Sequence, residues 1–146
     1  MNLINTCCNE LMEQNLFENL EHRSRFSELI HCYGKYPFFN KGLCKCMYLS
    51  SWDMDHFIIL LDTLNRMTLD SGMNIEEMKA QGRVIEQSCT GYDRYIMQLS
   101  HDFLNDVPYQ IPDVELPEEC LHIMKRALEV SDVLDRIFRE YHESHY

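Results

Sequence analysis

The sequence predicts an all-α protein, a single-domain bundle of four to five helices with a long central helix and an aromatic loop. Three observations favour this fold class. Apolar residues recur at steps of three and four in several segments. Capping residues, glycine and proline flank those segments. The 146 residues include only five Gly and four Pro, and no segment keeps a sustained period of two. At this length we expect one helical domain over residues 1–146.

The first fifty residues carry the weaker helical patterns. One apolar stripe predicts a first helix: Leu3, Ile4, Cys7, Cys8 and Leu11. A second stripe predicts a helix capped by Ser24 and ended near Gly34 and Pro37: Phe26, Leu29, Ile30 and Tyr33. The apolar residues 43–48 are also compatible with a short extended segment.

Two consecutive helices are predicted in the middle of the chain. Ser50 and Asp53 form a capping box for the first, which Ser71-Gly72 ends. Its apolar stripe contains Phe57, Leu60, Leu61, Leu64 and Met67. From Ile75 to Phe103 apolar or small residues alternate steps of three and four without a break. This seam predicts a long helix over about 75–106, capped by Asn74 and stopped by Pro108. The alternative is a fresh helix after Cys89-Thr90-Gly91, capped by Thr90 and Asp93.

The last helix follows a long proline-containing connection over residues 107–117. Pro117 suits the first turn of a helix, and the acids Glu118 and Glu119 suit the positive end of its dipole. Its buried face is predicted to contain Leu121, Met124, Leu128, Leu134, Phe138 and Tyr141.

The charge of the chain is strongly negative and unevenly placed. The formal net charge is −11, and all of the excess lies after residue 50. Such a surface repels phosphate backbones and anionic lipid, so we expect no nucleic acid and no membrane as partner. A basic protein partner is compatible with it. The acidic N-terminal residues lack a secretory pattern, and seven Cys is an odd number. We therefore expect a cytoplasmic protein with reduced thiols and no cofactor.

An aromatic loop at 36–49 is the first candidate site. The region 33–48 around it combines several rings with three lysines and no acid. Rings on such a loop can form the contact core of an interface, which makes Tyr36, Phe38, Phe39 and Tyr48 candidate partner-binding residues. The alternative is that the rings fill the end of the core. The leading hypothesis is a non-catalytic protein-interaction or regulatory module, such as an adaptor, an inhibitor or an immunity-type protein.

The dipeptide His101-Asp102 resembles the His-Asp pair of the HD phosphohydrolases. The resemblance covers two contiguous residues. It implies a helical metal site in which His56 and either Asp132 or Asp135 supply the outer ligands. Such a site would polarise a phosphate ester and activate water.

Arg94 followed by His101 is similar to the Arg-to-His spacing of HEPN-type ribonucleases. This resemblance implies that His101 acts as acid–base catalyst and Arg94 as phosphate stabiliser at a dimer interface.

The seam around Gly82 could also pack against a second copy of the chain, so a homodimer is a further possibility. The hypotheses differ in what they require: the HD-like hydrolase needs its ligands in one concave pocket, and the module needs an exposed apolar patch.

Overall fold

The computed structural model describes residues 2–69, 74–89 and 91–144, and within those ranges the chain forms seven helices and no strand. The helices are α1 (Leu3–Glu13), α2 (Leu20–Tyr33), α3 (Lys41–Ser51), α4 (Met54–Leu69), α5 (Ile75–Ser88), α6 (Asp93–Leu104) and α7 (Glu118–Ser144). The predicted all-α class is confirmed. The predicted number of four to five helices is too low, because the chain contains a helix where a loop was predicted and a break where one helix was predicted.

Helix α3 is the centre of the fold and packs against α2, α4, α6 and α7. Asn40 begins it by accepting a hydrogen bond from the backbone N–H of Leu43 at 2.8 Å. Every residue over 43–51 is buried. The predicted loop at 36–49 is therefore wrong from Lys41 onward, and so is the extended piece at 43–48. A helix buried on all sides shows no polar face, so its apolar run resembles a buried strand in sequence.

The predicted long helix over about 75–106 is wrong, because the chain breaks after Ser88. Cys89 has the extended angles φ −70° and ψ 143°, which cannot continue a helix. Gly91 has φ +65°, a left-handed conformation that favours glycine. Helix α6 follows Tyr92, whose side chain makes no capping hydrogen bond. Thr90, one of the predicted caps, lies outside the described residues, as does the predicted Ser71-Gly72 stop.

Several other helix ends follow local capping chemistry. Asn74 caps α5 as predicted, accepting from the N–H of Glu77 at 3.0 Å. The predicted cap Ser24 is wrong, because α2 begins one turn earlier at Asn19. Pro117 directly precedes α7, which spans 27 residues and is the longest helix described. None of the described helices, α7 included, has an apolar stretch that could cross a bilayer.

Two glycines in helices have opposite surroundings, so replacing each by alanine should change the free energy of unfolding in opposite directions. A Cβ at Gly42 would lie 2.5 Å from the backbone oxygen of Phe103, where α3 and α6 approach closely. A Cβ at Gly82 would meet nothing within 4 Å. We expect Gly42→Ala to lower the free energy of unfolding by about 1–3 kcal/mol. Gly82→Ala should raise it by about 0.5–1 kcal/mol, because alanine favours helix. Urea unfolding followed by helical circular dichroism measures both, and equal effects would contradict the packing described.

A buried histidine joins α2 to the middle of α3. The ring of His22 is fully buried. Its Nε2 lies 2.7 Å from the carbonyl oxygen of Tyr48, and its Nδ1 accepts from the N–H of Glu18 at 3.2 Å. These contacts suit a neutral ring that carries its proton on Nε2. Burial lowers the pKa of His22 to about 4.

This histidine should make the protein sensitive to mild acid. The folded pKa lies below the unfolded value of about 6.5, so the stabilisation is complete above pH 6.5 and is lost as the pH falls towards 4. Between pH 7 and pH 5 we expect a loss of about 2 kcal/mol in the free energy of unfolding. Urea unfolding at the two pH values measures it. His22→Gln should reduce this pH dependence, and the exposed-site control His142→Gln should keep it. An equal loss of stability between pH 7 and pH 5 in the unmodified chain, His22→Gln and His142→Gln would contradict a neutral buried His22.

Candidate functional site

The aromatic residues that the sequence singled out occupy two different environments. Tyr36, Phe38 and Phe39 lie partly buried in the irregular segment 34–40, which joins α2 to α3. The rings of Tyr36 and Phe38 pack with centroids 5.3 Å apart. Phe39 packs against Phe138 of α7 at 6.0 Å. This aromatic segment is anchored on the core and still presents part of each ring to solvent.

Tyr48 belongs to the core instead. Its ring is 0% exposed and lies 4.5 Å from the ring of His22, centroid to centroid. Its hydroxyl donates to the carbonyl oxygen of Leu16. The prediction that Tyr48 is a surface anchor is therefore wrong. The physical reason is that position 48 lies in α3, whose every face is covered by other helices.

Two surface cavities meet at Asp135 of α7. The first, the acidic cavity, has a volume of about 440 Å³. It is lined by Lys45, Asp102, Phe103, Asp106, Val107, Pro108, Tyr109, Leu128, Ser131, Asp132 and Asp135. The second, the aromatic cavity, has a volume of about 510 Å³. It is lined by Leu3, Phe39, Asn40, Lys41, Asp135, Phe138, Arg139, Tyr141 and His142. We call the two cavities and the aromatic segment together the Asp135 surface.

An ion-pair cluster separates the two cavities. The Nζ atoms of Lys45 and Lys41 lie 2.8 Å and 3.1 Å from the same Oδ1 of Asp135. The side chain of Lys45 is only 7% exposed, whereas that of Asp135 is 40% exposed. Burial alone would raise the pKa of Asp135, but hydrogen bonds from the two lysines hold it below its ordinary value. Asp135 is therefore the counter-ion that a buried lysine requires.

The remaining carboxylates of the acidic cavity have weaker partners. Asp106 lies 3.9 Å from Lys41, and Asp132 has no ion pair with any described residue. Burial raises the pKa of Asp102, which shows that its carboxylate is partly desolvated. Burial also raises the pKa of Tyr109 to about 12, and its hydroxyl oxygen is buried without a hydrogen-bond partner among the described residues. The cavity thus offers carboxylates that an added cation would stabilise.

The four residues of the HD-like metal set do not come together. Asp102 and Asp132 line the acidic cavity, and His101 Nδ1 lies 3.9 Å from Asp102 Oδ1. His56 lies elsewhere, with its Nε2 3.4 Å from Asp93 Oδ1. Over the ranges 2–69, 74–89 and 91–144, no three His, Cys, Asp or Glu side chains are placed to hold a metal ion together. Two residues of the predicted set are neighbours in space, but the set as a whole is not assembled.

Arg94 and His101, the HEPN-like pair, do share one surface cavity. It has a volume of about 460 Å³ and also contains Arg83 and Glu86. Arg83 Nη1 lies 3.5 Å from His101 Nε2. His101 therefore lies in a cavity of mixed charge, with Arg83 and Arg94 on one hand and Glu86 and Asp102 on the other.

A fourth concave feature, the α4–α5 groove, is mainly apolar and has a volume of about 70 Å³. Residues of α3, α4, α5 and α6 line it: Cys46, Ser50, His56, Ile59, Leu60, Thr63, Met78, Gln81, Gly82, Ile85, Met97, Ser100 and Leu104. Cys46 is the neighbour of Lys45 in sequence, so the groove and the acidic cavity lie on different sides of α3. The sequence signal for this groove is Gly82, a glycine inside a helical pattern.

Sequence reasoning missed the pair of Lys45 and Asp135. The residues are 90 positions apart, and no local pattern links them. The only signal is a single lysine in the apolar run 43–49, since a buried lysine needs a counter-ion.

In comparisons with known proteins, no protein-family model, no curated protein and no solved structure matched the chain. Function is therefore inferred from the residues of this chain.

Removing Asp135 should destabilise the protein more than removing Lys45, although the two residues form one ion pair. Asp135→Asn leaves the buried Lys45 beside Lys41 without a counter-ion, and we expect a loss of about 2 kcal/mol in the free energy of unfolding. Lys45→Met keeps the packing and leaves Asp135 40% exposed and paired with Lys41, so it should be nearly neutral. The double variant Lys45→Met/Asp135→Asn should recover most of the stability that Asp135→Asn loses. Urea unfolding followed by the fluorescence of Trp52, the single tryptophan, measures the free energy of unfolding of all three variants. A Lys45→Met variant as unstable as Asp135→Asn would contradict this assignment.

Proposed function

We propose that the protein is a non-catalytic interaction module that binds a basic segment of another protein at the Asp135 surface. One observation carries this proposal: a cavity lined by carboxylates adjoins a cavity lined by aromatic rings. Together they offer a charged subsite and an apolar subsite to the same ligand. Interfaces commonly combine a few aromatic anchors with charges that select the partner.

The acidic cavity would receive a lysine or arginine side chain of the partner. Lys45 does not neutralise the whole cavity, because its ammonium group lies against Asp135. Asp102, Asp106 and Asp132 remain for an incoming cation. Asp102 is the most shielded of the three, since its side chain is 29% exposed against 79% for Asp106. A cation beside Asp102 would therefore be attracted more strongly than one beside an exposed surface charge.

The aromatic segment would supply the apolar part of the contact. Phe39 borders the aromatic cavity, and Tyr36 and Phe38 extend the apolar area along the chain. These rings are already held against one another and against α7. Binding through them would therefore require little additional ordering of side chains.

Selection of a random peptide library against the full chain tests the proposal. Enriched peptides are expected to contain a lysine or arginine close to an apolar residue. Asp102→Asn/Asp106→Asn/Asp132→Asn should weaken their binding by about tenfold or more, and added salt should weaken binding to the unmodified chain. Fluorescence anisotropy of labelled peptides measures both effects.

A matched variant controls for total charge in this test. Glu13→Gln/Glu21→Gln/Glu28→Gln removes the same three charges from exposed positions of α1 and α2 and should leave the affinity within about twofold. Phe38→Ala/Phe39→Ala should weaken binding while the helical circular dichroism is retained. Peptides that bind equally well to all of these variants would rule out the Asp135 surface as the site.

The ribonuclease alternative keeps one supporting observation, the shared cavity of Arg94 and His101. Incubation of the chain with single-stranded RNA separates it from the module. Cleavage that disappears in His101→Ala would support the ribonuclease, whereas intact RNA is expected for the module. The negative net charge of the chain opposes the approach of RNA.

A further inference from the structure

The α4–α5 groove leaves apolar side chains uncovered by the chain's own helices. Ile59 lines the groove and is 39% exposed. On α5, Val84 is 66% exposed and lies three residues after the groove-lining Gln81, so it flanks the groove. Single exposed apolar residues are common on protein surfaces, but exposed apolar residues that border an apolar depression are typical of an interaction site.

Helix α5 has few internal partners on this side. It packs mainly against α6, and Met78 is the one buried residue among its described side chains. Gly82 opens the groove, because a side chain there would meet no other atom within 4 Å. A glycine inside a helix costs about 0.5–1 kcal/mol relative to alanine. The chain therefore keeps a destabilising residue at a groove-lining position of α5 that has room for a side chain.

The rim of the groove is negatively charged. Asp55 lies four residues before Ile59 on α4, and Glu77 lies four residues before Gln81 on α5, so each acid shares a face with a groove-lining residue. Both acids are exposed. Asp62 lies on the same face of α4 and pairs with Arg66 at 2.7 Å. A second copy of this chain would present the same acids and be repelled, whereas a basic partner would be attracted.

We propose that the α4–α5 groove docks one amphipathic helix of another protein, with lysine or arginine flanking its apolar stripe. The volume of about 70 Å³ suits one aliphatic side chain, inserted above Gly82. Neighbouring apolar residues of that helix would cover Ile59 and Val84. Its basic flanks would reach Asp55 and Glu77. This is the helix-in-groove mode, in which an apolar stripe gives affinity and flanking charges select the partner.

Two synthetic helical peptides test this proposal with the full chain. They share one leucine stripe and differ only in their flanks, which carry lysines in one peptide and glutamates in the other. We expect the lysine peptide to bind with a dissociation constant in the micromolar range and the glutamate peptide to bind at least tenfold more weakly. Fluorescence anisotropy of the labelled peptides measures both affinities.

Variants of the chain then locate the bound peptide. Gly82→Leu fills the groove and should weaken binding of the lysine peptide by at least tenfold. Ala80→Leu adds the same side chain roughly 200° round α5 and should leave binding unchanged. Asp55→Asn/Glu77→Gln alters only exposed side chains, so it tests the rim independently of whether Gly82→Leu folds. It should weaken binding several-fold, and the same charge change in Glu118→Gln/Glu119→Gln should not.

Three results would overturn the proposal. The first is no binding of the lysine peptide up to millimolar concentration. The second is binding that Gly82→Leu leaves unchanged and Asp102→Asn/Asp106→Asn/Asp132→Asn abolishes, which would place the peptide in the acidic cavity. The third is a concentration-dependent dimer in sedimentation that Gly82→Leu abolishes, which would make a second copy the occupant. The groove and the Asp135 surface use separate variants, so either proposal can fail alone.

Discussion

The complete burial of α3 is the constraint on which the rest of the structure depends. Its residues 43–51 are all buried, so its backbone polar groups must be satisfied within the helix or by neighbouring side chains. The C-terminal carbonyls of α3 find such a partner in Arg25, which donates to the oxygens of Ser51 at 2.7 Å and Trp52 at 3.1 Å. His22 lies 2.7 Å from the carbonyl oxygen of Tyr48. One helix thereby determines where α2, α4, α6 and α7 must lie.

The same constraint produces the candidate site. A lysine in a buried helix must keep a counter-ion, and Lys45 reaches Asp135 at the edge of α7. The aromatic segment leads directly into the cap of α3 at Asn40, so the start of the central helix and the exposed rings occupy the same end of the molecule. The buried ion pair and the proposed binding surface therefore share one residue, Asp135. Under the proposed function, a change there would affect stability and binding together, whereas a change at Asp102 or Asp132 would affect binding with less effect on the fold.

The elements that sequence patterns predicted are those with one polar face. Helices α1, α4 and α7 alternate buried and exposed positions, and their apolar stripes are visible in the sequence. Helix α3 has no polar face, so its periodicity is lost. The seam from Ile75 to Phe103 continues in register across Gly91, which is why spacing alone did not predict the break after α5. The sequence Cys89-Thr90-Gly91 left a break open as the alternative, and the backbone angles of Cys89 and Gly91 establish it.

The candidate site, like the helices, was predictable only where a local sequence pattern marks it. Tyr36, Phe38 and Phe39 stand out locally as rings on an irregular segment, and they lie partly exposed there. Asp102 and Asp132 were grouped for metal binding and do line the same cavity, but His56 lines a different one, which no spacing indicates. Adjacent residues of α3, Lys45 and Cys46, line different cavities, so both surfaces are built on one rigid helix. Because the two surfaces are separate and each is bordered by acids, the two proposed basic segments would bind without competing. A chain with a net charge of −11 would attract such partners and repel a copy of itself.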